Sequence, residues 1–179
     1  MLRDPTFANR DRQHEASVDQ VADRTHGDLC KIATIGTFIP RRCGIATFTS
    51  DLLESISRQL PEVEHYAIAL SDVQNGYDYP APVRFEIRQR SRADYNLAID
   101  VLNMNQPDIV SLQHEYGIYG GEQGSYVLDL LQNLRLPIVT TLHTVLPRPS
   151  DRQREIMKAI GVPDIPFYDP SYHKDILGL

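Results

Sequence analysis

Apolar residues in this chain cluster in short runs separated by longer stretches of mixed polarity. Cys30-Lys-Ile-Ala-Thr-Ile-Gly-Thr-Phe38 is a β-rich run, followed by a turn over 39–44. From position 45 to 60 the residues Ile45, Phe48, Leu52, Leu53, Ile56 and Leu60 recur at helical spacing, and Pro61 stops the helix. Positions 63–70 predict a second strand, and 71–82 a polar loop carrying Gly and Pro. Val83-Arg-Phe-Glu-Ile87 alternates, which predicts an edge strand. Ser91 is placed to cap a helix through Met104, with Ala93, Leu97, Ala98, Val101 and Leu102 inward. Strands at 109–112 and 138–142 alternate with helices at 125–134 and, capped by Ser150, through Ile160. This order predicts an α/β fold: a Rossmann-like, three-layer α/β/α parallel sheet with helices on both faces.

The two ends depart from the pattern. Residues 1–28 are rich in Arg, Asp, Gln and Thr without a sustained apolar period, and read as a disordered N-terminal arm. Residues 161–179 place three prolines within Gly-Val-Pro-Asp-Ile-Pro-Phe-Tyr-Asp-Pro170, which cannot continue a helix and read as an extended tail. The folded unit expected is therefore 29–160.

Composition narrows the function classes. With 179 residues the chain can form one domain with a real core, and two full domains would be cramped. A net charge of -6 with no basic face argues against nucleic-acid binding through counterion release. No run approaches the roughly 18 apolar residues of a membrane span. The first residues lack the apolar core of a signal peptide, and Cys30 and Cys43 are too few for a disulfide scaffold. A cytoplasmic setting is the expectation.

Two of the apolar runs end on histidine: Asp108-Ile-Val-Ser-Leu-Gln-His114 and Pro137-Ile-Val-Thr-Thr-Leu-His143. In open parallel sheets, ligands bind beyond the carboxyl ends of the strands, so a pocket shared by both imidazoles is expected. His114 and Glu115 offer hydrogen bonds, and Gly120-Gly121 reads as a loop able to fold over a ligand. His143 can bond a sugar hydroxyl or shift charge beside a reacting centre. Against this stands the plainer reading, in which both histidines are satisfied structural residues. Gly44, ahead of a helix, lets backbone approach a ligand, with the N–H groups of Ile45, Ala46 and Thr47 facing an anion and Arg41 and Arg42 adding charge. The plainer reading there is a tight turn with two solvated arginines. Dinucleotide-type GxGxxG, P-loop, HExxH, GxSxG and DxD patterns are all missing, and no ligand spacing for a metal occurs.

Three segments together, Ile35-Gly-Thr-Phe-Ile-Pro-Arg-Arg-Cys-Gly-Ile-Ala-Thr-Phe48, Asp108–Gly121 and Pro137–Pro147, resemble the N-terminal domain of GT-B glycosyltransferases of family 4, the glycosyl transferases group 1 type. The resemblance covers about residues 31–160. It implies transfer of a sugar, with retention, from a nucleotide-sugar donor to a hydroxyl acceptor, with no metal or other cofactor. It places Gly44 in the loop at the interdomain cleft near the donor phosphates and the acceptor, His143 bordering the reacting sugar as the catalytic residue, and His114 and Glu115 in the loop that shapes the acceptor side; Arg42, Gly120 and Gly121 stay substrate-binding candidates on the reading of the residues themselves. In that family a second Rossmann-like domain, bearing an E-x7-E motif, binds most of the donor. Residues 161–175 resemble the linker between the two domains. The expectation is thus an incomplete acceptor-side domain lacking its donor-binding partner, inactive by itself. The alternative is a remnant that keeps the fold as a non-catalytic binding or interaction module.

Overall fold

The computed structural model describes residues 29–161; the readings of 1–28 as an arm and of 162–179 as a tail lie outside the described residues. Five strands form one parallel sheet: β1 (Lys31–Gly36), β2 (Glu64–Ser71), β3 (Val83–Arg88), β4 (Ile109–His114) and β5 (Ile138–Leu142). Their order in space is β3-β2-β1-β4-β5. Helices α1 (Gly44–Gln59), α2 (Arg92–Asn105), α3 (Val127–Asn133) and α4 (Asp151–Ala159) connect or follow them. The Rossmann-like α/β class expected from the alternation is the one observed. β3 lies at the sheet edge, as its alternating pattern requires.

The sheet has two unlike faces. On one, Ala33, Ile35, Tyr66, Ile68, Leu70, Val110 and Leu112 pack with Tyr95, Ala98 and Leu102 of α2, Val127 and Leu130 of α3, and Ile156 of α4. These residues are essentially removed from water, and each large aliphatic among them contributes roughly 1.5–3 kcal/mol of transfer free energy. On the other face the strands present small residues, Thr34, Gly36, Ala67 and Ala69, which let α1 approach closely through Leu53 beside Phe38. The α1 face is thinner, and on β5 its Val139 stays 58% exposed.

Helix ends follow local chemistry. Ser150 caps α4 with a full capping box, its hydroxyl accepting from the Gln153 N–H while the Gln153 side chain accepts from the Ser150 N–H. Ser91 occupies the N-cap position of α2 as expected, yet its hydroxyl donates to Asp94 Oδ1 instead of capping backbone. The buried stripe of the helix also differs from the expected one. Asp94, Tyr95, Ala98, Ile99 and Leu102 face the sheet, while Ala93 is exposed and Leu97 is 53% exposed. The buried Asp94 carboxylate takes two bonds from the Arg88 guanidinium, at 2.7 and 2.8 Å, and one from the Arg88 N–H. The ion pair ties the start of α2 to β3.

Candidate functional site

The strand order reverses direction at β1, so the crevice expected in such a sheet opens between the carboxyl ends of β1 and β4. Residues 37–43, the start of α1, the segment after β4 and the end of β5 surround it. After β4 the chain makes two short 3-10 turns, Tyr116–Ile118 and Glu122–Gly124, where a loop was expected.

The two histidines do not share a pocket. In the β4–β5 register His114 lies opposite Leu142, so His143 stands one residue further along. Side chains alternate across a strand, and an offset of one residue sends them to opposite faces. His114 joins the α2–α3 face, fully buried, stacked on Tyr119 at 5.9 Å and edge-on to Tyr116 at 5.0 Å. Neither of its ring nitrogens has a hydrogen-bond partner. Burial, with help from nearby His143, drives its pKa down to about 4, so the ring is neutral at physiological pH. As a substrate-binding residue His114 is out of reach: no surface of it meets solvent.

His143 joins the α1 face and is partly exposed. Its Nε2 lies 3.0 Å from Gln113 Oε1, and Phe48 of α1 meets its ring edge-on at 4.9 Å. Its backbone N–H donates to the His114 carbonyl at 2.9 Å, extending the ladder one residue past β5. The Gln113 amide nitrogen donates to Ser111 Oγ at 3.1 Å, which turns the amide oxygen toward His143. Facing an acceptor, Nε2 must carry the proton, and Nδ1 keeps the lone pair. That Nδ1 has no partner among the described residues. Burial lowers the His143 pKa while the Glu115 carboxylate pulls it upward, so the ring is neutral and an acceptor at pH 7.

Gln113 is itself fully buried, with its carbonyl taking the Tyr119 hydroxyl at 2.8 Å. It fits beside β1 because Gly36 has no side chain: a Cβ there would meet Gln113 Cβ at 2.9 Å and Thr49 Oγ1 at 3.2 Å. Sequence reasoning missed Gly36, Phe48 and Gln113. The visible signal for Gln113 was a polar amide inside an otherwise apolar strand.

The remaining expected site residues separate into open and engaged groups. Gly44 opens α1 with an ordinary backbone and nothing within 4 Å of where a Cβ would sit. Neither strain nor packing demands glycine there, which leaves space above the helix start. Of the first-turn donors, Ala46 N–H goes to Cys43 Sγ at 3.4 Å and Thr47 N–H to the Cys43 carbonyl at 3.2 Å. The anion-facing set expected at Ile45, Ala46 and Thr47 is therefore reduced to Gly44 and Ile45. Arg42 is exposed. Arg41 folds back on β2, donating to the Leu70 carbonyl at 3.2 Å with Asp72 at 3.5 Å.

Glu115 spends one carboxylate oxygen on the Gly117 N–H at 2.7 Å, capping the first 3-10 turn. Gly120 is buried, its N–H donating to the Tyr95 hydroxyl at 2.9 Å, and a Cβ on it would collide with the Gln89 carbonyl. Gly121 sits at φ +80°, where a side chain would also meet Ser125 and Tyr126. Gly120 thus packs against the end of β3 and α2 as well as Tyr126, and Gly121 against Ser125 and Tyr126 of the following segment. Among the described residues no three His, Cys, Asp or Glu side chains are grouped to hold a metal ion, and no helix is long and apolar enough to cross a membrane.

Comparisons of the chain with protein-family models, with curated proteins and with solved structures found no match.

Proposed function

We propose that this domain forms the acceptor-side wall of a GT-B-type glycosyl-transfer site, working with a donor-binding domain outside the described residues. The observation that carries the reading is His143, held at the crevice by Gln113 and Phe48 with Nδ1 free to accept a bond from a sugar hydroxyl. The open space over Gly44, with the free N–H groups of Gly44 and Ile45, is its companion on the anion side. In such a transfer the bond from the anomeric carbon to the diphosphate breaks, the acceptor oxygen bonds that carbon, and the acceptor proton leaves with the diphosphate. Charge grows on the leaving group, so donors aimed at it contribute most. His143 would orient the sugar as the carbon–oxygen bond lengthens.

The test is calorimetric titration of the full chain with UDP-glucose and GDP-mannose, beside a glycosyl-transfer assay, with and without His143→Ala. Binding that shifts Gly44, Ile45 and His143 resonances, and that weakens in the variant, supports the reading. Absence of binding by either nucleotide sugar counts against it. The burial of His114 favours a second reading, a binding module without turnover, because one of the two expected imidazoles cannot touch a ligand. Turnover by the isolated chain would exclude that second reading.

A further inference from the structure

A separate cavity of about 480 Å³ opens at the carboxyl ends of β2 and β3. One wall is Ser71, Asp72 and Gln74, where the chain leaves β2; the other is Arg88, Arg90 and Ser91, where β3 passes into α2. Its volume falls in the range of small-molecule sites, and its lining is mixed in a particular way. Arg88 is neutralised by the buried Asp94, which is held down to about 2 by that guanidinium. Asp72 stands near Arg41 at 3.5 Å and accepts the Tyr77 hydroxyl at 2.8 Å, yet remains 44% exposed with acceptor capacity to spare. Glu86, the nearest other carboxylate on β3, takes the Tyr77 N–H at 3.2 Å. Once these pairs are made, the charge left over at the rim is Arg90, which is exposed and has no carboxylate partner among the described residues.

The α2 start reinforces that sign. No side chain caps its backbone, since the Ser91 hydroxyl is taken by Asp94, and the first-turn N–H groups of Arg92 and Ala93 are left unbonded. The cavity therefore joins a cationic end, Arg90 beside the α2 start, to an end that accepts hydrogen bonds, Asp72 with the Gln74 amide. A guanidinium matches a phosphate with two parallel bonds, and an ionised carboxylate bonds hydroxyl donors. We propose that this cavity binds a phosphorylated polyol of monosaccharide size, its phosphate on Arg90 and its hydroxyls on Asp72. The site stands on its own side chains and does not depend on the glycosyl-transfer reading, whose residues follow β1, β4 and β5.

The test titrates the full chain with ribose 5-phosphate, ribose and inorganic phosphate, followed by amide chemical shifts and calorimetry. Ribose 5-phosphate is expected to bind more tightly than either part, moving the amides of 71–74 and 88–92. Arg90→Ala, an exposed change that leaves the fold intact, should weaken it about tenfold or more. Asp72→Asn should weaken ribose 5-phosphate while leaving inorganic phosphate unaffected. Equal binding of phosphate and ribose 5-phosphate, indifference to Arg90→Ala, or shifts confined to Gly44 and His143 would each overturn the proposal.

Discussion

His114 and His143 end neighbouring strands of similar sequence, and they have opposite physical lives. His114 is sealed among tyrosines with both ring nitrogens unpaired. His143 is half-open, with one nitrogen tied to Gln113 and the other free. A single residue of register separates them. The first is a packing element that carries an electrostatic cost, and the second is a polar group aimed at a crevice. Shared type and shared position at a strand end therefore say little about role until the face is known.

The contrast is breakable by mutation. His114→Ala should cost roughly 3–4 kcal/mol in denaturant unfolding, because it leaves a cavity against Tyr116 and Tyr119. His143→Ala should cost less than about 1 kcal/mol. His114→Leu is the sharper probe. Removing two unpaired polar nitrogens while keeping bulk should leave stability within about 1 kcal/mol of the parent. A loss as large as that of the alanine variant would mean that the nitrogens are bonded in solution, and the comparison would fail.

Acid provides the next test. His114 takes up a proton near 6.5 in the unfolded chain and near 4 in the fold. Between those values the unfolded state binds more protons, so stability falls as pH falls, by up to about 3 kcal/mol. The difference between parent and His114→Leu, measured by unfolding at stepped pH, should open over that window, the leucine variant gaining on the parent by up to about 3 kcal/mol as pH falls from 6.5 to 4. Asp94, lowered from 3.8 to about 2 by Arg88, adds its own loss below that window in both proteins.

Smaller effects address His143. Gln113→Leu should cost about 1–2 kcal/mol and release the imidazole from its Nε2–H form, seen as a move toward mixed tautomers in ring ¹⁵N shifts. Unchanged shifts would show that Gln113 does not set the tautomer. Phe48→Ala, at a position 44% exposed, should change stability by less than about 1 kcal/mol. By opening His143 to water it should raise the imidazole pKa toward its ordinary value, a titration visible by NMR.

Much of the fold was legible in the chain. The alternation of apolar runs with helix-periodic stretches located all five strands and four helices, and Ser150 marked the last helix start through a capping box. Misreadings came where tertiary partners outbid local pattern. Leu97 is exposed while Asp94 and Tyr95 face the sheet, where the Asp94 carboxylate pairs with Arg88, six residues earlier on β3. Gly120 and Gly121 read as a loop able to fold over a ligand, and what the pattern could not show is their close packing, Gly120 against the Gln89 carbonyl at the end of β3 and both against Tyr126 in the following segment.

Sequence by itself determined that two imidazoles stand at the carboxyl ends of two strands of a parallel sheet, because each closes a short apolar run and is followed by a polar turn; that the two strands are neighbours came from the sheet order. Only the tertiary structure decided which of them meets solvent. Strand register is set by hydrogen bonds between chains of residues far apart in sequence, and a one-residue offset inverts the face. The space over Gly44, the fit of Gln113 against Gly36 and the cavity beside Arg90 have the same origin: each is the volume left or filled when separate elements pack.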